Sequence, residues 1–96
     1  MSPNKKKKLD LIRVKLDKLD DKLLSLIKYR TYLVKQVLKL KERKKDIVDK
    51  KRIKFILNKI KLKSKKLKID PIITNRIWKN MIWSYINFER RNFKNK

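Results

Sequence analysis

Cysteine, histidine, glycine and alanine are all missing from these 96 residues, and proline occurs only at Pro3 and Pro71. Without thiol or imidazole there can be no disulfide, no thiolate or imidazole metal ligand, and no Ser-His or Cys-His nucleophile pair. Any chemistry has to run on charge and shape, so neither a metal nor a cofactor is expected. Without glycine and with two prolines there is little material for turns or strands, which makes all-α the expected class. Long apolar runs are absent too: none approaches the roughly 20 residues of a membrane span. Lys5 to Lys8 lead into an amphipathic stretch, not the solid apolar segment of a cleaved signal. A soluble cytoplasmic protein with no membrane partner is the expectation.

Acidic residues are scarce, 9 against 32 Lys and Arg, for a formal net charge of +23. Such a balance is the usual argument for a nucleic-acid partner. Here the lysines are spread over the polar faces of every expected helix. Abundant Lys, Ile and Asn beside missing Gly and Ala is also what A/T-rich coding produces. No specific nucleic-acid partner is therefore expected, although nonspecific binding at low salt would be unsurprising. A basic, non-enzymatic nucleic-acid-binding protein stands as the alternative of another class.

Along the chain, residues 1–7 are expected as a disordered basic arm, 8–93 as one helical domain and 94–96 as a tail. The first helix is expected from about Lys8 to about Lys44, some 55 Å long at 1.5 Å per residue. A compact globule of this size has a radius of gyration near 12 to 13 Å. Much of that helix would therefore expose Leu, Ile and Val unless a second chain covers them, which predicts an obligate homodimer with a shared core. Asp46 and Asp49 are candidate N-caps for the second helix, Asp49 the better one. Ile53, Ile56, Leu57 and Ile60 give that helix a buried face, and the Lys-rich stretch 61–68 blurs its end. Asp70-Pro71, a capping residue before proline, starts a third helix that should run to about Phe93. Its aromatics Trp78, Trp83, Tyr85, Phe88 and Phe93 read as packing residues, and Tyr85 and Glu89 share a face by their i, i+4 spacing.

Ile12, Leu16, Leu19, Leu23, Ile27, Arg30, Val34, Val37 and Lys41 trace one stripe down the first helix in steps of three and four. Two of those positions carry cations where apolar residues belong. Arg30 and Lys41 lie roughly 20° apart around the axis and about 16 Å apart along it, which suits a small dianion gripped from both ends. An unpaired buried cation costs several kcal/mol, so an anion arriving from outside the fold is one reading. The other is that both side chains snorkel to water along their aliphatic stems.

Arg13 within LIRVKLDKLDDKLLSLI, Arg30 within KYRTYLV, Lys41 within LKLKE and the segment VDKKRI occur in this order, with gaps of 17 and 11 residues between the first three cations. This pattern, from about Leu9 to Glu89, resembles the all-helical (type II) chorismate mutase family. The resemblance implies an intertwined homodimer of three-helix chains, one helix very long. It implies a dicarboxylate substrate, chorismate, converted to prephenate on the route to phenylalanine and tyrosine. Arg30 would hold one carboxylate and Arg13 of the partner subunit the other. Lys41 would donate to the ether oxygen, Asp49 would lie near the substrate hydroxyl, and Arg52 would add a contact. For Asp49 a plain helix cap, and for Arg13 and Arg52 a solvated surface charge, are the bland alternatives. The rearrangement is unimolecular and pericyclic, needing a folded conformer and well-placed cations but no nucleophile, which suits the missing His and Cys.

Two positions depart from the family's usual pattern. Many members carry Glu after the second-helix Arg, whereas Ile53 follows Arg52 here, and a common Ser and Gln pair reads Tyr85 and Glu89. Both features are similar to the isochorismate-pyruvate lyases of the same superfamily, which release salicylate and pyruvate. Glu89 resembles the Glu of some eukaryotic mutases. A carboxylate there would repel the growing charge on the ether oxygen and a protonated carboxyl would donate to it; the sequence leaves the form open. No regulatory domain is apparent, so feedback control within this polypeptide is not expected.

Overall fold

Ser2 and Pro3 start the chain's first helix. In the computed structural model, which describes residues 1–94, the Ser2 Oγ accepts from the Lys5 N–H at 3.3 Å. Pro3 fills the first helical position, where a missing N–H costs nothing. The helix α1 therefore spans Pro3–Leu40, which corrects the expected disordered arm at 1–7: a serine cap and an N-terminal proline outweigh the repulsion among four consecutive lysines. A 3-10 turn at Lys44–Ile47 follows, then α2 at Lys50–Lys66 and α3 at Pro71–Asn92. The all-α, three-helix class is the one observed.

One of these helix ends differs from expectation, and the others agree with it. α1 stops at Leu40 and not near Lys44, because the 3-10 turn needs the backbone from Arg43 onward. Asp46 belongs to that turn and does not cap α2; Asp49 does, accepting from the Arg52 N–H at 3.0 Å. α3 ends one residue before Phe93, which is its C-cap. Of the expected tail 94–96, Lys94 is non-helical and 95–96 lie outside the described residues.

The chain divides into two compact units, Met1–Leu33 and Val34–Lys96. The first unit buries none of its residues. Its stripe residues Ile12, Leu16, Leu19, Leu23 and Ile27 are between 46% and 55% exposed, so the apolar face of this stretch has no cover within its own unit. The second unit has a small core of Ile47, Ile82 and Ile86, against which Leu38, Val48, Ile53, Ile56, Leu57 and Phe93 pack. Ile53, Ile56, Leu57 and Ile60 are half-buried, as are Trp78, Tyr85 and Phe88. Trp83 is a correction: it is 48% exposed and does not serve the core, because it lies about 100° around the helix from the buried Ile82.

The link from α2 to α3 shows what a missing glycine entails. The Lys68 N–H donates to the Lys65 carbonyl at 3.1 Å and the Ile69 N–H to the Ser64 carbonyl at 2.9 Å. Together they close α2 in a Schellman motif, whose C′ position calls for left-handed backbone. Lys68 occupies it with φ of 57°. A side chain there costs roughly 1 kcal/mol relative to glycine. Lys68→Gly is therefore expected to raise stability by about 1 kcal/mol, read as a higher urea midpoint with an unchanged slope.

Candidate functional site

The second unit carries a part-buried ion pair. The side chains of Lys41 and Glu89 are 19% and 7% exposed, and their Nζ and Oε1 are 3.0 Å apart. Glu89 is buried because α3 turns Ile82, Ile86 and Glu89 to one face in steps of four and three, and the two isoleucines are core. Lys41 is the first residue past α1. Its backbone N–H still donates to the Leu38 carbonyl at 3.2 Å, while its ammonium also donates to the Ile47 carbonyl at 3.3 Å. An ammonium has three N–H groups. Two are taken by these acceptors, which leaves the third aimed by the other two.

Retaining this pair calls for a reason beyond stability. Desolvating two charges offsets most of their attraction, and apolar residues of similar volume at such positions are often as stable or more so. A buried glutamate on an otherwise isoleucine-rich face, paired with a half-buried lysine, points to chemistry. The pair supplies a fixed N–H donor next to a carboxyl group, the equipment for stabilising an oxygen on which negative charge grows.

The structure places the other expected residues as follows. Tyr85 lies one turn before Glu89, half-buried, with its ring edge-on to Phe88 at 6.4 Å. Asp49 is exposed and acts as the cap of α2. Arg52 is exposed, its guanidinium 5.3 Å from the centre of the Phe55 ring. Both are engaged locally, one with backbone and one with an aromatic face. In the first unit, Arg13 is exposed and Arg30 half-buried on α1. Lys41 and Glu89 are expected residues that the fold joins directly. The Ile47 carbonyl is a third member that residue patterns did not reveal, since a backbone acceptor leaves no mark on side-chain spacing. The nearest available signal was Asp46 three residues after Arg43, a spacing at which a carboxylate can accept from the earlier backbone N–H.

Ile53, next to Arg52, packs against the core. A groove of about 390 Å³ in the same unit is lined by Val48, Ile53, Leu57 and Trp83 among others and does not include Lys41 or Glu89. Among the described residues no helix is long and apolar enough to cross a membrane, and no group of three His, Cys, Asp or Glu side chains could hold a metal ion. A family model described as chorismate mutase type II matches residues 12–90. No curated protein and no solved structure matches the chain.

Proposed function

The chain belongs to the chorismate mutase type II family, and from that premise we propose that it rearranges chorismate to prephenate in the cytoplasm, on the route to phenylalanine and tyrosine. The observation that carries this reading is the buried Lys41–Glu89 pair with its one uncommitted ammonium N–H. In the rearrangement the ether C–O bond breaks as a C–C bond forms, and negative charge gathers on the ether oxygen. Lys41 donates to that oxygen. Glu89 accepts from Lys41 through Oε1 and, when protonated, donates to the same oxygen through Oε2.

The dicarboxylate is held by Arg30 and by Arg13 of the partner subunit, with Asp49 at the substrate hydroxyl, Arg52 as a further cation and Tyr85 against the ring. The functional molecule is an intertwined homodimer in which residues 8–93 act as one catalytic domain. The half-exposed stripe from Ile12 to Ile27 supports this, since an uncovered apolar face of that length is unusual on a free chain. It also accounts for there being three buried apolar side chains among the described residues, because the missing core comes from a second copy.

One observation favours a second reaction on the same scaffold: the core packing of Ile53 removes the usual polar contact after Arg52, as in the isochorismate-pyruvate lyases. Incubating the purified protein with chorismate and with isochorismate, and following prephenate and salicylate separately, decides between the two. Prephenate is the product expected, and neither product would end the proposal.

A further inference from the structure

We infer that Asp46, which the proposed chemistry does not use, is a positioning residue that aims the Lys41 ammonium; this rests on the mutase reading of the site. Lys41 reaches the Ile47 carbonyl, six residues on, at 3.3 Å. For that carbonyl to face back toward Lys41, the chain between them has to reverse within a few residues, and it does so through the 3-10 turn Lys44–Ile47. Such short turns hold poorly without caps, because their hydrogen-bond geometry is weaker than that of an α-helix.

Arg43 and Asp46 close this turn from both sides. The Asp46 N–H donates to the Arg43 carbonyl at 2.9 Å, and the Asp46 carboxylate accepts from the Arg43 N–H at 3.1 Å. The Arg43 Nε stands 4.0 Å from the same carboxylate oxygen. At the far end of the turn the Ile47 side chain is locked into the core, 3% exposed. The turn is thus pinned by Ile47 on the inside and by the Asp46 carboxylate on the outside. Loss of the outer pin frees the backbone between Lys41 and Ile47, and the ammonium keeps only Glu89 as a fixed acceptor. An ammonium with one acceptor can swing about it; with two, its third N–H has one direction.

The role assigned to Asp46 is that of a hydrogen-bond acceptor at a backbone N–H, which an asparagine oxygen can also fill and an alanine cannot. Asp46→Ala is therefore expected to lower kcat about ten- to thirtyfold with KM changed less than threefold, the pattern of an interaction made in the transition state. Asp46→Asn is expected to stay within about threefold of the wild-type kcat. A readout free of catalysis accompanies this: competitive acetylation of the native protein, read by mass spectrometry with the exposed Lys44 as internal reference. Lys41 is expected to label several-fold faster in Asp46→Ala and at the wild-type rate in Asp46→Asn.

An unchanged Lys41 labelling rate and unchanged kcat in Asp46→Ala would overturn the inference. So would equal losses in the two variants, which would make the charge and not the cap the active feature. If the wild-type protein turns over neither chorismate nor isochorismate, the mutase reading fails, and the labelling comparison still decides whether Asp46 holds Lys41.

Discussion

Lys41→Met is expected to lower kcat/KM by about a thousandfold and to destabilise the fold at the same time. The two losses have separate causes. Removing one fixed donor to a developing oxyanion typically costs about 3 to 4 kcal/mol of barrier, or 10²- to 10³-fold in rate. Removing the partner of a buried charge costs about 3 to 5 kcal/mol of stability, since the Glu89 carboxylate is left on the core face without its ammonium. Against a total stability of about 5 to 15 kcal/mol, the second loss is large. A fall in activity alone would therefore not separate catalysis from unfolding.

The double variant Lys41→Met with Glu89→Leu separates them. It replaces a buried ion pair with two apolar side chains of similar volume, a change that is commonly neutral or stabilising. Urea unfolding should return to the wild-type midpoint or beyond, while the rate should stay at the level of Lys41→Met. Recovery of stability together with activity would mean that the pair is a structural feature only. Wild-type rates in Lys41→Met would remove the ammonium from the chemistry altogether.

Much of the fold could be read directly from residue types. Asp49 and Asp70-Pro71 marked the starts of α2 and α3 because capping is local chemistry, decided by a side chain and the next three amides. The Lys41–Glu89 meeting was readable only through the family resemblance, since 48 residues separate the two and no periodicity spans a change of helix. The end of α1 was not readable. The stripe continues through Lys41 without a break, and what stops the helix is the reciprocal bonding of Arg43 and Asp46 together with burial of Ile47, a tertiary cause. The start of α1 at Pro3 was not expected from the run Lys5 to Lys8, although a single good cap and a pre-set φ suffice to begin a helix. Arg13, Asp49 and Arg52 are exposed, the last two in local contacts. A site shared between two copies can be complete only in the assembly.

Mixing two inactive variants tests that sharing. Under the proposed geometry, each site takes Arg30 from one chain and Arg13 from the other, because 17 residues turn the two guanidinium positions about 100° apart on a helix. Arg13→Ala and Arg30→Ala are each expected to lose at least a hundredfold in kcat/KM, since truncating one partner of an enclosed carboxylate contact costs about 2 to 5 kcal/mol. Unfolding the two variants together and refolding them allows random pairing, so about half the dimers are mixed. In each mixed dimer one site combines the intact Arg30 of the first variant with the intact Arg13 of the second, while the other site lacks both. Half the dimers with one of two sites restored amounts to about a quarter of the wild-type activity. That is a gain of more than twentyfold from two near-inactive proteins. If both arginines served a site within one chain, no pairing could unite them, and the refolded mixture would stay as slow as its components.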